Sequence, residues 1–144
     1  MIIFLQKGLI MKKFITFVTI DPDAIDDLGH VNFAKLQLLA LDAFEGYRLS
    51  AGVGIKSLLQ NHGLALVLRR SLTDYKKELF QGDHVEIEVQ MKLRGELILL
   101  CDAKFRIGSK LMATCKWMMA MIHISGKDRT LVKKMPGWIR QAFE

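Results

Sequence analysis

The sequence predicts an α+β domain in which a twisted antiparallel sheet wraps around one long helix, and three stretches predict it. Residues 84–93, HVEIEVQMKL, alternate Val85, Ile87, Val89, Met91 and Leu93 with Glu86, Glu88, Gln90 and Lys92, which is the period of a half-buried strand. Residues 110–124 are apolar on both parities except at Lys110, Thr114, Lys116 and His123, as in a central strand covered on both sides. Residues 32–50 carry apolar side chains at helical spacing. One early helix followed by an antiparallel sheet of about four to six strands gives the class.

Taken in order, residues 1–11 read as an N-terminal extension, loosely attached or lengthening an edge strand, and 12–144 as a single domain. A first strand is expected at 12–20. On a helical wheel of 32–50, Lys35, Asp42 and Gly46 cluster into a narrow stripe beside Glu45. Leu36, Leu39, Ala40, Ala43, Phe44 and Tyr47 cover much of the rest, so the helix is expected to be largely enclosed. Gly52 and Gly54 suit its C-terminal cap. Asn61-His62-Gly63 turns the chain into a strand at 65–75. After the alternating strand, Arg94-Gly95-Glu96 makes a turn, and Ala103, Phe105 and Ile107 alternate with Asp102, Lys104 and Arg106. Gly108-Ser109 turns into 110–124, completing a meander. Pro136 suits the first turn of a short C-terminal helix through Phe143.

The chain has 144 residues, 51% hydrophobic and 25% charged with 2 Pro, which fits one globular core and excludes disorder. Cys101 and Cys115 show no zinc-type or thioredoxin-type spacing, so free, buried thiols in a reducing compartment are expected. The longest apolar run contains Lys116 and falls short of the roughly 20 residues that span a bilayer. The first residues lack the basic start and cleavage pattern of a secretory signal. A cytoplasmic protein is expected. The net charge of +6, from 21 basic and 15 acidic side chains, admits nucleic acid, anionic lipid or a phosphorylated cofactor as partner.

Chemistry concentrates in DPDAIDDLGHVNFAKL, residues 21–36, between the first strand and the helix. The first-turn N–H groups of a helix lack intrahelical partners and carry the positive end of its dipole, so they polarise a carbonyl oxygen or bind an anion. Acyl transfer needs such donors together with a base or nucleophile nearby. Asp26 and Asp27 are the closest acids on the entering loop.

These residues resemble the signature of the 4-hydroxybenzoyl-CoA thioesterase-like branch of the hotdog-fold acyl-CoA thioesterases. Asp26 falls on the signature Asp, His30-Val31 on its His-Val, Asn32 on its first Asn and Ala34 on its Ala, with Gly29 preceding them. Asp42-Ala43, Tyr75 with Asp83, and Met135-Pro136 resemble later family positions. Phe33 replaces the second Asn, Leu36 the usual aromatic, Phe44 a frequent Arg, and Glu78 a common Pro. The resemblance implies a hotdog fold and hydrolysis of an acyl-CoA or acyl-carrier-protein thioester. It assigns Asp26 as general base or nucleophile and the Phe33 backbone N–H as oxyanion donor, and needs no metal or redox cofactor, coenzyme A being part of the substrate. It also implies a homodimer or homotetramer with pockets between subunits. The alternative is a non-catalytic hotdog module that binds acyl thioesters or serves as an oligomeric scaffold.

Each residue also has a plainer use. Asp26 before a helix is most often a cap; the family pattern reverses that ordering. His30, expected to support Asp26, more commonly satisfies a backbone carbonyl. Asn32 is most simply the helix cap that fixes the oxyanion turn. Asp27 reads as solvated. His62, His84 and His123 share no ligand spacing, so no metal site is expected. The basic clusters Arg69-Arg70, Lys76-Lys77, Lys127 to Arg129 and Lys133-Lys134 read as solvated surface, with at least one meeting the phosphates of coenzyme A. Nucleic-acid binding lacks an aromatic RNA signature or a helix-turn-helix pattern. Met112, Met118, Met119 and Met121 read as adaptable core, and Cys115 has no His to activate it.

Overall fold

The computed structural model describes residues 2–4 and 13–144. Among the described residues, seven strands form one antiparallel sheet: β1 (Ile2–Phe4), β2 (Lys13–Thr19), β3 (Leu64–Tyr75), β4 (His84–Arg94), β5 (Ile98–Ile107), β6 (Lys110–Ser125) and β7 (Asp128–Leu131). Their order is β1-β2-β4-β5-β6-β3, and β7 pairs with the far end of β6 where β5 has run out. The short β1 lengthens the edge beside β2, pairing Ile3 with Phe14. The expected meander is therefore present as β4-β5-β6, with β3 crossing to the outside of β6.

The β4 alternation buries Val85, Ile87, Val89 and Met91 on the inner face. Against that face lies α1 (Phe33–Ser50), burying Leu36, Ala40, Ala43, Phe44 and Tyr47. The Phe44 ring meets Trp117 of β6 edge-on at 5.0 Å, a geometry that adds to the area the two rings bury. Two strand alternations and one apolar helix stripe thus share a single core, which is the hotdog arrangement of a curled sheet around a helix.

Three expectations need correction. The helix is enclosed on one side only: Phe33, Leu38 and Leu49 are 69%, 52% and 65% exposed, because one sheet covers one face. Gly46 does not lie on a solvated stripe. A Cβ there would come within 2.7 Å of the Phe14 ring, so its missing side chain is what lets α1 approach β2. Gly54 does not cap α1, which ends at Ser50 with Ala51 as its cap; it opens a second helix, α2 (Ile55–His62), that the sequence did not predict.

The α1–α2 junction explains why that helix forms. Its N-terminal Ile55 N–H donates to Glu45 Oε1 at 2.9 Å, an acceptor supplied by α1 because Gly54 has no side chain. Arg48, 4% exposed, donates from Nε to Val53 O at 3.1 Å and faces Glu45 at 3.8 Å. Burial lowers the Arg48 pKa and Glu45 works against that. Gly63 closes α2 in the left-handed region at φ +60°. At the C-terminus, Pro136 precedes α3 (Gly137–Arg140) and a 3-10 turn whose Phe143 stacks on Tyr47 at 6.1 Å. Both thiols are free and buried. Among the described residues no helix is long and apolar enough to cross a membrane.

Candidate active site

The loop between β2 and α1 folds on itself before the helix starts. Pro22–Ala24 form a 3-10 turn, and Ile25 bridges Val31. Inside that bridge the Asp26 N–H donates to His30 O at 3.0 Å and the Gly29 N–H to Asp26 O at 2.9 Å. Gly29 takes φ +84°, a conformation that only glycine adopts without strain. The Val31 N–H donates to Leu79 O at 2.9 Å, tying this loop to the segment between β3 and β4.

The two capping roles separate cleanly. Asn32 caps α1, its Oδ1 accepting from the Lys35 N–H at 2.9 Å. Asp26 does not cap the helix; its Oδ1 accepts from the Leu28 N–H at 2.9 Å, within its own turn. Phe33 is the first residue of α1, and among the described residues its N–H has no hydrogen-bond partner. Its side chain points to solvent, so only its amide belongs to the helix mouth. An 18-residue helix aims its positive end there.

His30 stands between two acids. Its Nδ1 lies 2.8 Å from Glu78 Oε1 and its Nε2 3.5 Å from Asp26 Oδ2. The plainer reading, in which His30 satisfies a backbone carbonyl, is not what the structure shows. Glu78 entered the sequence reading only as a departure from a common Pro. It lies 48 positions from His30, and no local spacing links them. Asp27 is exposed and makes no ion pair among the described residues.

All four expected site residues, Asp26, His30, Asn32 and Phe33, border one cleft of about 430 Å³. Val31, Leu36 and Leu79 give it apolar walls, and Tyr75, Lys76, Lys77 and Glu78 supply its far side. The volume suits a small-molecule site. Burial, and secondarily the Cys115 thiol, push the Tyr75 phenol up to about 12, so it stays a proton donor at neutral pH. Behind the cleft, Gln37 of α1 bonds Thr73 Oγ1 and accepts from Trp117 Nε1 at 3.0 Å, pinning the helix start to β3 and β6. Burial raises the Cys115 thiol, which leaves it a poor nucleophile. Among the described residues no group of three or more His, Cys, Asp or Glu side chains is placed to hold a metal.

The profile of the thioesterase-like superfamily matches residues 20–143 of this chain. A 1,4-dihydroxy-2-naphthoyl-CoA hydrolase of Synechococcus elongatus is 23% identical over 117 residues, covering 80% of this chain and 86% of that protein. A 1,4-dihydroxy-2-naphthoyl-CoA thioesterase from Synechocystis superposes with a TM-score of 0.80 at 16% identity, over 91% of this chain and 95% of that one. A variant 4-hydroxybenzoyl-CoA thioesterase, solved with 4-hydroxybenzoyl-CoA, superposes with a TM-score of 0.83 at 10% identity, over 92% and 99%. A family match that runs from the end of β2 to the C-terminal turn, on a curled hotdog sheet shared with these structures, places the chain in the thioesterase-like superfamily.

Proposed function

We propose that the chain hydrolyses acyl-CoA thioesters in the Asp26 cleft. The observation that carries this is the pairing of a carboxylate free of any helix-capping duty with a partnerless amide at the mouth of α1, both on one cleft. The thioester carbonyl oxygen takes the Phe33 N–H, where the helix dipole stabilises the charge that develops in the transition state. Asp26 attacks the carbonyl carbon or takes a proton from the attacking water. His30 braces Asp26, and Glu78 braces His30. The thiol of the carrier leaves, and Lys76 and Lys77 on the rim attract its negative charge. The names of the cyanobacterial relatives favour coenzyme A as that carrier; an acyl-carrier protein presents the same thioester.

The chain associates as a homo-oligomer in this reading. β3 is an edge strand of 12 residues whose outer main-chain groups face no other strand among the described residues, and Leu68 and Leu72 on it are 49% and 65% exposed. Long edges of this kind pair with a second chain.

Purified protein incubated with short, medium, long and aromatic acyl-CoAs and a thiol reagent should release coenzyme A. Saturable binding without release would instead identify a non-catalytic acyl-thioester module. Light scattering after size exclusion should give at least a dimer, and a monomer at micromolar concentration would remove the edge-pairing step.

A further inference from the structure

The outer face of the sheet holds a second set of cavities that shares no residue with the Asp26 cleft. One, of about 310 Å³, is lined by Arg69, Arg70, Arg94, Ile98 and Met118. The other, of about 460 Å³, shares Arg70 and Met118 and adds Lys92, Lys116, Leu72 and Leu100 among its walls.

Register explains the convergence. Lys92 lies opposite Leu100, Leu100 opposite Met118, and Met118 opposite Arg70, one row across four strands. A β-bulge between Leu68 and Arg70 interrupts β3. Without it, consecutive arginines would point to opposite faces; with it, Arg69 and Arg70 line the same cavity. The result is a floor of Ile98, Leu100 and Met118 between a β4 wall of Lys92 and Arg94 and a β3 wall of two arginines.

Among the described residues, Arg69, Arg70, Lys92, Arg94 and Lys116 form no ion pair, whereas Glu88 alone on the same sheet engages both Lys13 at 3.6 Å and Arg106 at 3.3 Å. Three guanidinium groups around one cavity repel one another until an anion sits among them. Asp102, opposite Lys116, is the one acid lining either cavity, and its Oδ1 is buried without a hydrogen-bond partner.

We propose that this groove binds a small phosphate-bearing ligand of the nucleotide class. Guanidinium forks match phosphate oxygens two at a time, and the floor of Ile98, Leu100 and Met118 suits the face of a ring. The cationic track is too short for an extended polyanion: two rows beyond Arg70, the walls become Glu88 and Asp74. The ligand is either a free nucleotide or the nucleotide end of a coenzyme A thioester.

Calorimetric titration of the full chain at low salt tests this with adenosine 3′,5′-bisphosphate, ADP and pyrophosphate. Saturable binding is expected, weakened about tenfold or more in Arg94→Gln and in Arg69→Gln and unchanged in Asp26→Asn. Arg69 and Arg94 are exposed, and unchanged melting temperatures would show that both variants fold. Absence of binding overturns the proposal, as does binding that neither arginine variant weakens. So does binding of a short single-stranded oligonucleotide with no binding of the mononucleotides. Should Arg94→Gln raise KM for an acyl-CoA but not for the matching acyl-pantetheine, the ligand is the nucleotide end of coenzyme A. Should it move neither KM while nucleotide binding is lost, the ligand is a free nucleotide. Because binding is read directly, the result stands apart from whether Asp26 hydrolyses anything.

Discussion

The Asp26 carboxylate accepts the Leu28 N–H through Oδ1 and faces His30 through Oδ2, so an amide at this position keeps the turn but loses the charge. Asp26→Asn should therefore lower kcat by about 10²–10⁴, with little change in KM and a melting temperature close to wild type; thiol release on an acyl-CoA reads the first, calorimetry the last. Glu78 sits one step removed, against His30. Glu78→Ala leaves His30 Nδ1 without its 2.8 Å partner, and kcat should drop about tenfold, a coupling typical of hydrogen-bonded neighbours. In a His30→Ala background the same change should do nothing more. Additive losses would mean that Glu78 acts on something other than His30. The candidate site was legible in the sequence as far as it was contiguous: Asp26, His30, Asn32 and Phe33 lie within eight positions and border one cleft. Glu78 was not, because its partner comes from a different loop and tertiary contacts such as the Val31–Leu79 hydrogen bond bring the two together.

At the scale of elements, the junction of α1 and α2 is held by one carboxylate with two duties. Glu45 accepts the Ile55 N–H and faces the buried Arg48. Glu45→Ala removes a helix cap and strands a buried cation, which together should cost about 2–4 kcal/mol in chemical unfolding. Glu45→Gln keeps an acceptor for Ile55 and should lose less. α2 escaped the sequence reading for the same reason: its cap is borrowed from a residue ten positions upstream, so Gly52 and Gly54 read as the end of one helix and not the start of another. β4 was legible because its alternation runs unbroken and one face is buried from Val85 to Met91. β3 was located correctly, but not which way its residues face. Leu66 and Leu68 share the inner-face register of Met121 and Met119, whereas beyond the bulge it is Ser71 and Thr73 that lie opposite buried Trp117 and Cys115, so no single parity describes the strand.

At the scale of the whole molecule, burial sets how the fold responds to alkali. Burial raises the Cys101 thiol from its ordinary 9.0 to about 12, opposed by Arg48. It also raises Cys115 and Tyr47. These groups are neutral when protonated, and the folded chain holds their protons more tightly than the unfolded chain does. Below about pH 9 both states are protonated and the shift has no effect on stability. As pH rises from about 9 toward 12, the unfolded state gains thiolate that the core refuses, and stability falls. Cys101 alone should account for about 1.4 kcal/mol per pH unit within that window. The unfolding free energy from urea titrations should accordingly be flat between pH 7 and 8.5 as far as the thiols are concerned, then decline. Cys101→Ala should start lower, because its small cavity costs packing, yet decline by about 1 kcal/mol less between pH 8 and pH 10. Parallel decline in the variant and the wild type would show that the Cys101 thiol ionises in the native core as readily as in the open chain, and that the sheet and helix do not seal that part of the interior from water.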